Sequence, residues 1–331
     1  MSVTIKDVAK AAGVSVATVS RVLNGSANVS EAATKAVNDT IKALNYSPNF
    51  LGRNLRKCVT NSILVIQPSS EHSLYSKIIA GMQEAAAAEG YDIITSISNG
   101  TPEIENRQLN MLYNRTVDGA VLLGTVLGSG TINSLAQNYH IALCCEGCQG
   151  ADVLTVVVDD ELGGYDAAKA LIDKGHTKIA IISTLSDTVS SANREKGFFR
   201  ALEQNGIDIP EGYVYRGDYG YEHGRAAIQQ FMALEDRPTA VFAISDLLAA
   251  AAIKEATDMG VKIGSELAVI GFDDITWCER YIPTISSIAQ PCDEMGRFVL
   301  KKLLENINGK ADDTGYYTMK HTVMLRASTG D

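Results

Sequence analysis

Apolar positions recur at helical spacing in three short bursts near the start of the chain. Ile5, Val8, Ala9 and Ala12 form the first, Val19, Val22 and Leu23 the second, and Ala33, Val37, Ile41 and Leu44 the third. Thr4 and Asp7 stand at capping-box spacing, and Ser15 and Ser30 precede the second and third bursts. Gly13 interrupts the pattern where a sharp turn needs a permissive residue. Pro48 disfavours helical geometry at Ser47 and closes the third element. The pattern predicts three small helices, the first two meeting at a tight turn, with Val16, Ala17, Thr18, Ser20 and Arg21 on the outer side of the second. That is the arrangement of a helix-turn-helix, whose second helix lies in a major groove.

From Ser62 onward the period changes. Short β-rich runs (SILVIQP, YDIITSIS, DGAVLLG, HIALCCE, LTVVVDD, KIAIIS, TAVFAIS, LAVIGFDD) alternate with amphipathic helical stretches such as YSKIIAGMQEAAAAE and REKGFFRALEQN. Gly90, Gly175, Gly206 and Gly260 close four of the helical stretches, as left-handed caps do. Such alternation predicts an α/β body of parallel sheets covered on both faces. About 270 residues of it is large for one sheet and natural for two. Between head and body, Asn49 to Lys57 is basic and too short to fold alone, which reads as a solvated linker.

Charge sharpens the division. The whole chain is acidic, at −10, yet residues 1–60 carry eight Lys or Arg against three acidic residues. A head of +5 on a body of −15 confines attraction to phosphates to one end. No apolar run approaches a membrane span and the start lacks an apolar signal segment, so a cytoplasmic protein with no membrane partner is expected. Of the six cysteines, Cys145 and Cys148 form a CxxC, but no second CxxC or histidine pair accompanies it. Free thiols and no metal site are expected, with Cys58, near the linker, the one open to a functional role.

The string TIKDVAKAAGVSVATVSRVLN resembles the start of lactose/galactose repressor family transcription regulators, and the resemblance runs along essentially the whole chain. It implies a helix-turn-helix domain at 1–48, a hinge at 49–60 and an effector-binding and dimerisation body at 61–331. The body would be periplasmic-binding-protein-like, with one lobe at about 61–161 and 291–320 and the other at about 162–290 and 321–331. The chain would cross between lobes near Glu161, Gln290 and Lys320. A ligand cleft is then expected at the carboxyl ends of the strands.

The resemblance also assigns roles. Val16 and Ala17 would contact thymine methyls, and Arg21 a guanine. Thr4, Thr18, Ser20 and Asn24 suit phosphates, Ser15 opens the same helix, and Asn28 would reach a base or phosphate from the turn. The hinge, with Arg53 and a wedging Leu55, would enter the minor groove as one helix per subunit of a homodimer on a pseudo-palindromic operator. Gly52 costs that hinge helix about 1 kcal/mol relative to alanine, which couples its ordering to DNA. Dimer contacts are expected mainly from the first lobe, including the helix that holds Ile78, Ile79 and Met82.

Effector contacts are implied at Leu74, Tyr75, Glu146, Arg194, Tyr219, Ser245, Asp246 and Asp273. On its residues alone, Arg194 could also be a surface arginine at a helix start, and Asp246, Asp273 or Asp274 could simply cap helices. Leu74 and Tyr75 stand, in His72-Ser73-Leu74-Tyr75, where relatives commonly carry Asn/Asp-Pro-Phe-Phe. Leu74 removes one flat stacking partner and Tyr75 keeps one. Trp277 falls at the cleft or its hinge. The phrases IAQP and GRNL resemble the nucleoside-responsive branch. The effector would be a sugar, sugar acid or nucleoside, with no cofactor. A phosphorylated carrier protein, as in the catabolite-control branch, is the alternative input. An enzyme is disfavoured, since five scattered histidines form no catalytic or metal spacing.

Overall fold

The computed structural model describes residues 3–23, 29–46, 59–70, 73–186 and 188–331. The chain divides into two compact units, Met1–Val59 and Thr60–Asp331. In the first, helices α1 (Ile5–Ala12), α2 (Val16–Leu23) and α3 (Glu31–Ala43) close over a core of Val8, Ala9, Val19 and Val37. The Asp7 carboxylate accepts from both the Thr4 amide (2.9 Å) and its hydroxyl (2.6 Å), fixing the start of α1. Gly13 takes φ +65° at the turn, where a side chain would be strained. Ser30 Oγ accepts from the Ala33 amide and starts α3.

The second unit contains two six-stranded sheets. The first holds β1 (Ser62–Gln67), β2 (Asp92–Ile97), β3 (Gly119–Leu122), β4 (His140–Cys144), β5 (Leu154–Val158) and β11 (Tyr316–Met319), in the order β11-β5-β4-β3-β1-β2, all parallel. Helices α4 (Ser73–Glu89), α5 (Pro102–Tyr113), α6 (Ser129–Ala136) and α11 (Cys292–Ile307) belong with it. The second sheet holds β6 (Ile179–Thr184), β7 (Val214–Gly217), β8 (Ala240–Ala243), β9 (Ala268–Asp273), β10 (Ser286–Ala289) and β12 (Thr322–Met324), in the order β12-β10-β9-β8-β6-β7. Its helices are α7 (Asp160–Asp173), α8 (Val189–Gln204), α9 (Tyr221–Ala233) and α10 (Asp246–Asp258). The chain passes between sheets after β5, after β10 and between β11 and β12.

Runs such as SILVIQ and AVIGFD are buried almost throughout, as strands covered on both faces must be. The parallel pattern has one exception, β12, which pairs antiparallel with β10. The β12 strand stops at Met324 and Ala327–Thr329 is a 3-10 turn, where Ser328 and Thr329 spend their hydroxyls on Val269, Ser286 and Arg326. The strands VYRG and YYTM escape the period rule because both are short sheet-edge strands with partly exposed residues. Gly90, Gly175, Gly206 and Gly260 all adopt positive φ.

Glycines let helices cross closely in each lobe. A Cβ on Gly81 or Gly296 would strike the backbone of α11 or α4, and one on Gly164 or Gly197 the backbone of α8 or α7. The second crossing matters for the site, since Gly164 lies against the carbonyl of Arg194. On α4, Ile78, Ile79 and Met82 are buried in their own lobe, so a dimer contact through this helix must use its exposed face, including Ala80, Gln83, Glu84 and Ala87.

Candidate functional site

Helix α2 starts at Ser15, whose hydroxyl accepts from the Thr18 amide at 3.1 Å and pairs with the Thr18 hydroxyl at 2.9 Å. That cap aims the first turn outward. Val16, Ala17 and Arg21 are exposed, Thr18 and Ser20 are half-buried, and Val19 anchors the opposite side. Thr4 is exposed at the start of α1. The face therefore offers two small apolar groups, hydroxyls and one guanidinium. Asn24, Asn28, Arg53 and Leu55, together with Gly52, Cys58 and the rest of the 49–57 hinge, lie outside the described residues.

In the body, the residues expected to touch an effector fall into two groups. Arg194, on α8, is 4 % exposed, which rules out the surface reading. Its Nε donates to Asp160 (2.8 Å), and its Nη1 to the Ile244 carbonyl (2.8 Å) and to Asp273 (3.5 Å). Its guanidinium stacks on the Phe272 ring at 3.6 Å. Asp273 ends β9 in a left-handed conformation (φ +113°), followed by Asp274 (φ +52°). No helix begins there, so neither caps one. Gln290, at the second crossing, donates from Nε2 to Asp273 at 2.7 Å. Glu146, just beyond β4, reaches across to the start of α8, where its carboxylate accepts from the amide (3.1 Å) and the hydroxyl of Ser190. Lys77 on α4 crosses in the same sense, donating to the Asp274 carbonyl at 2.7 Å.

Electrostatics ties these residues together. Burial pushes Asp273, Asp160 and Glu146 above the usual carboxylate range, against the opposing pull of Arg194 on the two aspartates and of Ser190 on Glu146. For Arg194, burial works against the charge, but Asp160 and Asp273 more than offset it and the cation is held firmly. Burial also raises the Tyr75 hydroxyl, with Cys145, Tyr219, Asp273 and Glu146 adding to the effect, so Tyr75 faces the acids of both lobes. The Tyr219 hydroxyl, 3.4 Å from Ser191 Oγ, is pushed up to about 12, chiefly by burial. Both tyrosines stay neutral, able to stack and hydrogen-bond.

The second group makes framework contacts. Ser245 is the N-cap of α10, its hydroxyl accepting from the Leu248 amide, so the cap is Ser245 and not Asp246. Asp246 is buried and accepts from the Ile275 amide (2.8 Å) and Ser287 Oγ (2.6 Å), which pins the turn after Asp273. Leu74 is buried in the first lobe's core, and Trp277 is 61 % exposed. The described cysteines are free, and burial raises their thiols, which makes them poor nucleophiles. Asp160, Lys77, Phe272 and the polar role of Gln290, expected only as a lobe crossing, escaped the sequence reading, although the acidic residues at the start of α7 and the polar residue in IAQP were visible.

Residues 4–49 match the family model for bacterial regulatory proteins of the lacI family, and residues 168–329 match that of a periplasmic binding protein-like domain. Catabolite control protein A of Priestia megaterium is 32 % identical over 331 residues, covering 99 % of this chain and 100 % of that protein. The chain belongs to the lacI family. The HTH-type transcriptional repressor PurR of Klebsiella pneumoniae is likewise 32 % identical, over 99 % of this chain and 97 % of its own length. Among solved structures, the lac repressor dimer bound to operator and the anti-inducer ONPF superposes with a TM-score of 0.89 at 25 % identity, covering 99 % of both chains. A CelR–cellobiose complex superposes with a TM-score of 0.74 at 29 % identity, over 98 % of this chain and 99 % of its own. This lacI-family protein is thus a DNA-binding transcription regulator and not an enzyme. Among the described residues, no helix is long and apolar enough to cross a membrane.

Proposed function

We propose that this lacI-family regulator is a cytoplasmic repressor that binds a pseudo-palindromic operator as a homodimer. Its control is a sugar-like or nucleoside effector that enters between the two sheets at Tyr75, Glu146, Arg194, Tyr219 and Asp273. The observation that carries the reading is the buried Arg194–Asp273–Gln290 set, faced by Glu146 from the other lobe. A fold gains little stability from burying such charges, whereas a polar ligand uses them directly. Because Glu146 bonds Ser190 across the lobes, a ligand that competes for either partner changes the relation of the lobes. An effector shifts operator affinity only as far as it prefers one lobe arrangement. On the DNA side, Arg21 is the residue suited to bidentate recognition of guanine, while Val16 and Ala17 suit thymine methyls.

The test is operator affinity by fluorescence anisotropy during titration with sugars, sugar acids, nucleosides and purines. A saturable change for one compound, lost in Asp273→Asn, supports the reading. The rival input is a phosphorylated carrier protein docking on the first lobe. It predicts that no small molecule moves operator affinity while a carrier protein does.

A further inference from the structure

The cleft's polar groups are unequal in kind, and the imbalance narrows the ligand class. Gln290 is 7 % exposed, and its Oε1 has no hydrogen-bond partner although its Nε2 is bound to Asp273. An unpaired buried acceptor is costly, and a donor on a ligand relieves it. Three carboxylates belong to the same site: Asp273 bonds Gln290 and Arg194, Asp160 bonds Arg194, and Glu146 reaches in from the other lobe. Two cations oppose them. Arg194 is already paired with Asp160 and Asp273 and bound to the Ile244 carbonyl, and Lys77 is bound to the Asp274 carbonyl. Acceptors are in surplus, and carboxylates outnumber cations, before any ligand arrives.

We infer that the effector carries no negative charge and presents hydrogen-bond donors, hydroxyl or amino, to the wall formed by Gln290, Asp273 and Glu146. This rests on the reading of the cleft as a small-molecule site and removes sugar phosphates, nucleotides and sugar acids from the effector class. A phosphate or carboxylate entering the cleft would lie a few ångströms from carboxylates that outnumber the two cations, Arg194 and Lys77. At an effective dielectric of about 20 that repulsion weakens binding by roughly tenfold to a hundredfold.

The experiment is calorimetric titration of the full chain with sets that share a skeleton. The probes are glucose, glucosamine, gluconate and glucose 6-phosphate; ribose and ribose 5-phosphate; and cytidine and cytidine 5′-monophosphate. In whichever set binds, the neutral or amino member should bind at least about tenfold more tightly than its anionic counterpart. That gap should narrow in Glu146→Gln, which removes one charge and keeps an acceptor. An anionic member binding as tightly as its neutral counterpart, or more tightly, overturns the inference while leaving the small-molecule site intact. Absence of binding by every member overturns the underlying reading of the cleft instead.

Discussion

Arg194→Ala removes the centre of the second lobe's polar core, and its cost can be worked from the contacts. Three hydrogen bonds disappear, two of them to carboxylates, along with a guanidinium stacked 3.6 Å from the Phe272 ring. Asp160 and Asp273, each 7 % exposed, are left without their cation. Breaking one side of a buried pair costs about 3–5 kcal/mol, most of it the penalty on the stranded charge. The cost should depend on pH, and the sign follows from the aspartates. Both already titrate above the usual carboxylate range through burial, and Arg194 pulls them down. Without it they rise further, so the variant's folded state takes up protons more readily than its unfolded chain. A raised carboxylate contributes stability that is complete at low pH and lost as pH climbs through the folded value. The deficit of the variant is therefore expected to be full near pH 8 and clearly smaller near pH 5. The assay is urea unfolding of the full chain at fixed protein concentration at both pH values. Arg194→Met/Asp160→Asn, with one stranded charge removed, should recover part of the loss. A deficit under about 1 kcal/mol near pH 8 would refute the argument, as would equal deficits at both pH values.

Four further outcomes are expected. Ser15→Ala should destabilise the head by about 1 kcal/mol and weaken operator binding, because the Thr18 amide loses its acceptor; circular dichroism melting and anisotropy check this. Gly164→Ala drives a methyl group into the backbone of Arg194, so it should cost about 1–3 kcal/mol and weaken effector binding. Gly175→Ala, left-handed but with open space around it, should cost about 1–2 kcal/mol in thermal unfolding without changing effector affinity by calorimetry. Burial and the neighbouring Asp273 raise Asp246, so its contribution is present at low pH and lost as pH rises from the usual carboxylate range toward neutrality. Thermal melts of Asp246→Asn should thus show a larger deficit near pH 5 than near pH 8.

The head and the strand–helix alternation were legible because both are written in local periods. Ile5, Val8, Ala9 and Ala12 repeat with the helix, and AVIGFD is apolar at almost every position because both its faces are covered. Strands VYRG and YYTM were missed because sheet-edge position, not local pattern, makes them strands. The site was legible in part. Arg194 and Asp273 stood out through resemblance, but their chemistry depends on Phe272 beside Asp273 and on Asp160, Ile244 and Gln290, which the fold brings in from three other places in the chain. Asp246 looked like a ligand contact or a cap. Only the folded turn after Asp273 shows that it holds the Ile275 amide and Ser287.

Reading of a symmetric DNA site through α2 can be measured directly. The most direct measurement is selection of binding sequences from a randomised duplex pool by the full chain, followed by sequencing, with Arg21→Ala in parallel. Enrichment of an inverted repeat with a fixed guanine in each half-site is expected, with loss of preference at that guanine alone in the variant. An asymmetric consensus, or an inverted repeat whose guanine preference survives Arg21→Ala, would contradict it.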